Sequence, residues 1–317
     1  MKHKKLLLPL ILILAAALVL MTGCGTSDNG EDDGRIKIVT TIFPPYDFAR
    51  SIAGDEADVT MLLTPGAEVH TYEPTPQDIM KIQDCDLFIL VGGASDSWVD
   101  EILESVDTEN MEIIRLMDCV EPLEEAHTEG MEHHHHEEGG TPHYDEHVWT
   151  SPENAMLICD KITEALERIA PEKADVFEAN NRAEQEALVL LDTEFRDLID
   201  NAPRNTVVFA DRFPLRYFVE AYGLNYYAAY PGCAAEAEPS AATVSFLIEK
   251  VKEEEIPAVF YIEFSNERMA DTICEETGCQ KLPFHTCHNV TREEFDSGET
   301  YLSLMSGNLE ALRAALY

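Results

Sequence analysis

A chain of 317 residues with 61 Asp and Glu against 22 Lys and Arg carries a formal charge of −39 at neutral pH, a field that repels nucleic acid and anionic lipid and excludes both as partners. An apolar content of 45% is ordinary for a folded protein, and the length suits two small domains or one large one with real cores. Acidity concentrates cations but also serves solubility alone, so the charge by itself decides nothing about metals.

The chain begins with export signals. Lys2, Lys4 and Lys5, an apolar run over 6–21, and the small residues Thr22 and Gly23 read as a secretory signal peptide spanning 1–23. The run contains Pro9 and is barely long enough to cross a bilayer, which argues against a permanent membrane helix. The stretch Leu20-Met21-Thr22-Gly23-Cys24 resembles a bacterial lipobox, whose cysteine becomes the lipidated first residue of the mature chain. Cys24 is therefore the expected lipidation site, anchoring the chain on the outer face of the cell membrane, or in the periplasm of a Gram-negative cell. Residues 24–35, rich in Gly, Ser, Asn and Asp, predict a flexible tether. Of the 8 cysteines, setting Cys24 aside leaves an odd number, so at least one thiol stays unpaired within the chain.

Beyond the tether, short β-branched runs alternate with amphipathic stretches, which predicts α/β units. Runs at 36–42, 59–63, 87–91 and 113–116 are the expected strands of an N-terminal lobe, 36–170. Ser151 as N-cap and Pro152 behind it open a helix on which Ala155, Ile158, Ile162, Leu166 and Ile169 share a face. Residues 171–202 predict a long linker helix of about 40 Å: Pro171 starts it, no Pro or Gly interrupts 173–202, and Leu188, Leu191, Phe195 and Leu198 keep the period. Runs at 206–210, 226–230, 258–263 and 281–285 then predict a C-terminal lobe, 203–317.

Three segments carry metal-ligating chemistry. Residues 121–145 set His127, His133, His134, His135, His136 and His143 among Glu and Gly, and read as a mobile acidic loop that gathers metal. The Pro-stiffened loop from Thr64 to Pro76 presents His70 beyond the C-terminal end of a strand, where α/β folds bind ligands. In Asp145-Glu146-His147-Val148-Trp149-Thr150-Ser151-Pro152, His147 precedes a capped helix, with carboxylates beside it to orient the imidazole. Taken singly, either histidine is explained as well by loop exposure or by a polar helix start.

Together the motifs are specific. Pro65-Gly66-Ala67-Glu68-Val69-His70-Thr71-Tyr72-Glu73-Pro74, then a His-rich insert, then Asp145-Glu146-His147-Val148-Trp149, resembles the substrate-binding proteins of zinc and manganese ABC importers, from about residue 36 to the C-terminus. The resemblance implies two α/β lobes, each with a central sheet, joined by a rigid backbone helix, with the metal site in the cleft between them. It implies one metal-ligating histidine from each motif, His70 and His147. The family's third ligand, a His or Glu after the first strand of the second lobe, falls here on Ala210 by register on Phe213. Asp211 is the nearest substitute, although Arg212 equally well neutralises it, and Glu236 is a fallback. The fourth position falls in Leu282-Pro283-Phe284-His285-Thr286-Cys287-His288, where His285 matches best and His288 is the alternative. Cys233 and Cys287 are expected near the same crevice, as a disulfide or as thiolates to zinc, and Cys274 and Cys279 flank a helix end.

The expected function is extracytoplasmic capture of a transition-metal ion by a monomeric binding protein and its delivery to an ABC importer's permease and ATPase, partners implied by the resemblance alone. A nitrogen-rich shell of His70, His147 and His285 with Asp211 favours Zn2+ over Mn2+, which prefers more carboxylates. A surface zinc buffer built on the His-rich loop is the competing binding class. A zinc hydrolase needs an open metal position and a general base, for which Glu236 and Glu263 are available, but no HExxH, GxSxG or P-loop motif is present.

Overall fold

The computed structural model describes residues 34–68, 72–131, 143–232 and 239–317. The signal peptide, Cys24 and nearly all of the tether lie outside these residues, as do His70, His133 to His136, Cys233 and Glu236.

The first half winds as β1 (Ile36–Thr40), α1 (Phe43–Ala53), β2 (Ala57–Met61), α2 (Pro76–Gln83), β3 (Leu87–Leu90), α3 (Ser97–Leu103) and β4 (Glu112–Arg115). Its four strands form a parallel sheet in the order β2-β1-β3-β4, with Ile38 beside Val59 on one side and Leu87 on the other. Parallel sheets are covered on both faces, which is why β3 is Leu-Phe-Ile-Leu, buried at every position. Two helices follow, α4 (Pro152–Ile169) and α5 (Ala174–Asp200). Then come β5 (Thr206–Phe213), α6 (Arg216–Tyr222), β6 (Asn225–Pro231), α7 (Ala241–Glu253), β7 (Ala258–Tyr261), α8 (Arg268–Thr277) and β8 (Gln280–Pro283). These strands make a second parallel sheet, β6-β5-β7-β8, and α9 (Arg292–Ser297) and α10 (Tyr301–Leu316) complete the chain.

Each of the eight strands among the described residues overlaps the run that predicted it, and the fold is the expected pair of α/β lobes. The last strand is shorter than expected: the chain leaves the sheet beyond Phe284, and the His285 amide turns to Asn308 Oδ1 of α10 at 2.8 Å. Helix α4 starts as its cap requires, with Ser151 Oγ accepting from the Asn154 amide, and buries Ala155, Ile158, Ile162 and Leu166. Helix α5 has 27 residues, about 40 Å at the standard rise, and buries Phe177, Leu188, Leu191, Phe195 and Leu198 along one face.

The hydrophobic core is continuous between the sheets. Phe48 and Leu87 from the first lobe, Phe209 and Phe284 from the second, and Trp149, Phe195 and Tyr301 between them belong to one buried cluster. Hydrogen bonds reinforce the joint: Trp149 Nε1 donates to the Thr286 carbonyl at 2.9 Å, and the Tyr301 hydroxyl donates to the Trp149 carbonyl at 2.7 Å. Ile36–Tyr317 accordingly behaves as one compact unit. No helix among the described residues is long and apolar enough to cross a membrane.

The His-rich segment departs from the expectation of a loop mobile throughout 121–145. Its ends are tied by an antiparallel bridge between Glu124 and Tyr144, and the Glu125 amide donates to the His143 carbonyl at 2.8 Å. Met131 is buried, and Gly130 lies so close to Phe246 of α7 that a Cβ there would clash. Apolar contacts hidden in an acidic sequence hold these ends, which carry His127 and His143.

Candidate metal centre

His147 stands at the start of a single 3-10 turn, Val148–Thr150, just ahead of α4. The turn presses its imidazole inward, where it is 1% exposed. Asp145 Oδ1 accepts from both the His147 amide and Nδ1, each at 2.9 Å, and this assigns the tautomer with the lone pair on Nε2. Two anchors hold Asp145 and Glu146. The Tyr217 hydroxyl donates to the Asp145 carbonyl at 2.9 Å, and Glu146 accepts from the Ala94 and Ser95 amides and from Ser95 Oγ. The neighbouring Gly93 leaves room for the Glu146 side chain, which a Cβ there would force to move.

From the second lobe, His288 faces His147 with ring centroids 4.4 Å apart and planes at 81°. Trp149 backs both rings, 5.5 Å from His147 and 5.0 Å from His288. His288 Nδ1 lies 2.9 Å from Thr286 Oγ1, whose own proton goes to Glu263 Oε1. The hydroxyl thus accepts from Nδ1–H, and the lone pair of His288 also falls on Nε2. Glu263 further accepts from the Thr286 amide at 2.8 Å and the His288 amide at 3.2 Å, so this carboxylate organises the loop.

A narrow cleft opens beside His288, lined also by Glu68, Arg212, Gly232, Glu263 and Asn289. Asn289 Nδ2 donates to the carbonyls of Thr64 and Ala67, both at 2.9 Å, and the Gly66 amide donates to the Val290 carbonyl at 2.8 Å. The His288 loop is therefore stitched to the loop that continues to His70. Across the same cleft, Arg212 Nη1 pairs with Glu68 Oε1 at 3.2 Å. The pair cancels a guanidinium charge that would otherwise repel a cation.

Two of the residues preferred from sequence, His285 and Asp211, are not among those lining this cleft. His285 does not line the cleft: its Nδ1 accepts from the Cys287 amide at 3.0 Å and its carbonyl accepts from Asn308 Nδ2, which ties it to α10. The reason is Cys287, whose backbone is left-handed at φ 62° and turns the chain so that residue 288 faces His147. Cys287 itself is a fully buried free thiol in the core, and the same burial pushes it far above the ordinary thiol range, so it is not a thiolate donor to the cleft.

Asp211 is likewise absent from the cleft lining, and its neighbour Arg212 takes that place. The pairing of β5 with β6 slips between Phe209 and Arg212, an irregularity that re-aims this stretch. Burial raises the Asp211 carboxyl above its usual range, opposed by Ser265 and by the Arg212 amide. Ala210 is buried in a second core cluster with Val208 and Ala229. The sequence reading also missed Gly232, at which a Cβ would stand 3.0 Å from His147 Cε1. A Pro-Gly pair ending a strand run was the available signal. Among the described residues no group of three or more His, Cys, Asp or Glu is gathered as a complete cage; His147 and His288 form a pair.

Two parallel-sheet lobes over a shared core, with an imidazole of each lobe facing the other beside a cleft, are the architecture of a solute-binding protein. The family described as zinc-uptake complex component A, periplasmic, ZnuA, matches residues 38–315. The chain belongs to this family. It is 32% identical over 303 residues to the zinc-binding lipoprotein AdcA of Streptococcus pneumoniae, a match covering 96% of this chain and 60% of that one. It thus spans about three fifths of the length of the streptococcal relative. Similarity to the high-affinity zinc uptake system protein ZnuA of Bacillus subtilis is 29% over 310 residues, covering 96% and 97%. Among solved structures, the Zn(II)-bound ZnuA-like domain of S. pneumoniae AdcA is similar at a TM-score of 0.73 and 31% identity, over 89% of this chain and 99% of that one. The metal-dependent lipoprotein YcdH of B. subtilis is similar at 0.75 and 28%, over 89% and 99%.

Proposed function

We propose that this protein captures a zinc ion in the cleft between its lobes and passes it to the permease and ATPase of an ABC importer, working outside the membrane and held there through lipid on Cys24. The single observation that carries the reading is the facing pair His147 and His288, 4.4 Å apart, each with Nδ1 committed to an oxygen and each from a different lobe. Neutral imidazoles with a lone pair on Nε2 are zinc ligands of the first rank. His70 is the third in this reading, close in sequence to Thr64 and Ala67, whose carbonyls Asn289 binds. The fourth tetrahedral position is left to water or to the segment 233–238, with its Cys233 and Glu236. A shell in which three of four positions are imidazole favours zinc over manganese, which prefers more carboxylates. Of the two bases a hydrolase reading would have, Glu263 is spent on Thr286 and His288, and Glu236 lies outside the described residues.

In this proposal 36–170 and 203–317 act as lobes, 171–202 as the stiff connection between them, and the His-rich loop gathers metal for the cleft. The test is zinc affinity by competition with a chromophoric chelator. Substituting His147→Ala or His288→Ala lowers affinity at least 100-fold, the effect expected when a metal ligand is lost, whereas His285→Ala leaves it within a few-fold. Loss of binding in His285→Ala with retention in His288→Ala would overturn the assignment.

A further inference from the structure

Outside the cleft, Cys274 and Cys279 bring their sulfurs within 3.1 Å, five positions apart. The approach is built by the fold. Cys274 lies in the last turn of α8, Gly278 takes the left-handed conformation that ends the helix, and its amide bonds back to the Cys274 carbonyl at 2.8 Å. Thr277 Oγ1 bonds the Ile273 carbonyl and receives the Cys279 amide at 3.3 Å, after which β8 begins. Both cysteines are half-buried and pack against the second core cluster. No third donor accompanies them in a metal-binding group among the described residues, so a thiolate metal site does not explain the pair. The other described thiols have different company: Cys85 bonds the Ile82 carbonyl, Cys119 the Arg115 carbonyl, and Cys159 and Cys287 are buried in the core.

We infer that Cys274 and Cys279 are a modification site, closed to an intramolecular disulfide by thiol–disulfide exchange with a small-molecule disulfide. One cysteine thiolate attacks a sulfur of the reagent R–S–S–R, forming a mixed disulfide and releasing R–S⁻. The second thiolate attacks the protein sulfur of that intermediate, forming the Sγ–Sγ bond and releasing the second R–S⁻. The two thiol protons leave to solvent, and the reagent accepts the two electrons that the protein loses. The bond pins the end of α8 to the start of β8, and it removes two soft donors from the surface of a protein whose cleft is to hold zinc. Burial and the neighbouring thiol hold Cys274 up to about 12, so closure is slow at neutral pH and accelerates with alkalinity.

The chemistry of the pair does not depend on the cleft reading and is tested apart from it. The purified chain is incubated with cystine, alkylated with iodoacetamide and digested with trypsin, which cuts after Arg268 and Lys281 and leaves both cysteines in one peptide, 269–281. The expected peptide carries no alkyl group and is lighter than the reduced one by two hydrogens. Unfolding of the oxidised chain shifts up by about 2–6 °C relative to a Cys274→Ser/Cys279→Ser variant, while the reduced chain matches the variant. A doubly alkylated peptide after cystine treatment, or each cysteine carrying its own mixed disulfide, overturns the inference. Zinc affinity is unchanged by the double substitution, so failure of the cleft assignment and failure of the disulfide register in different measurements.

Discussion

An imidazole meets a metal through one lone pair, and the partner of its other nitrogen decides which nitrogen carries it. Asp145 makes that choice for His147, and Glu263 makes it for His288 through the Thr286 hydroxyl. Replacing Asp145 by Asn keeps the size but removes the charge that holds Nδ1–H, so zinc affinity falls about 10–100-fold by chelator competition; an unchanged affinity refutes the orienting role. At this scale the sequence was partly legible. His147 stood out because its neighbours Asp145, Trp149, Ser151 and Pro152 are local and each has a local job. His288 was obscured by His285, three positions away, since nothing in the letters announces a left-handed Cys287. Arg212 was obscured in the same way, because the slip in β5 pairing depends on β6, a separate run of sequence.

Among elements, the connection from β3 to α3 supports the centre from beneath. Asp96 Oδ2 accepts from the Val91 amide at 2.6 Å and the Gly92 amide at 3.2 Å, while Glu146 binds the adjoining Ala94 and Ser95 amides. Burial lifts the Asp96 carboxyl to about 6; the two backbone bonds oppose this and the Glu146 charge adds to it. The folded-state value therefore lies above the unfolded one. Asp96 contributes stability that is fully present below about pH 4 and is lost as pH rises through about 6, of order 3 kcal/mol across that window. Urea midpoints measured from pH 4 to 7 should show the gap between wild type and Asp96→Asn shifting against wild type as pH rises; a constant gap would falsify the assignment.

For the whole molecule, the shared core is the decisive feature. Trp149 touches both lobes, backing the two imidazoles and bonding Thr286, and Tyr301 bonds its carbonyl. Trp149→Ala empties the middle of that core and costs about 3–5 kcal/mol. Calorimetry should show one unfolding transition in both proteins, lower in the variant. Two transitions in the wild type, with only one displaced, would mean that the lobes are independent. By itself the sequence determined where the described strands fall, the helix pair between the sheets, and the local surroundings of His147, because periodicity, caps and Pro positions act within a few residues of chain. Only the tertiary structure decided that His288 meets His147, that Arg212 is neutralised by Glu68, that Gly232 leaves room for an imidazole and that two sheets share a core. Each of these rests on contacts between residues far apart in sequence, where packing and the backbone of a distant loop outweigh every local preference.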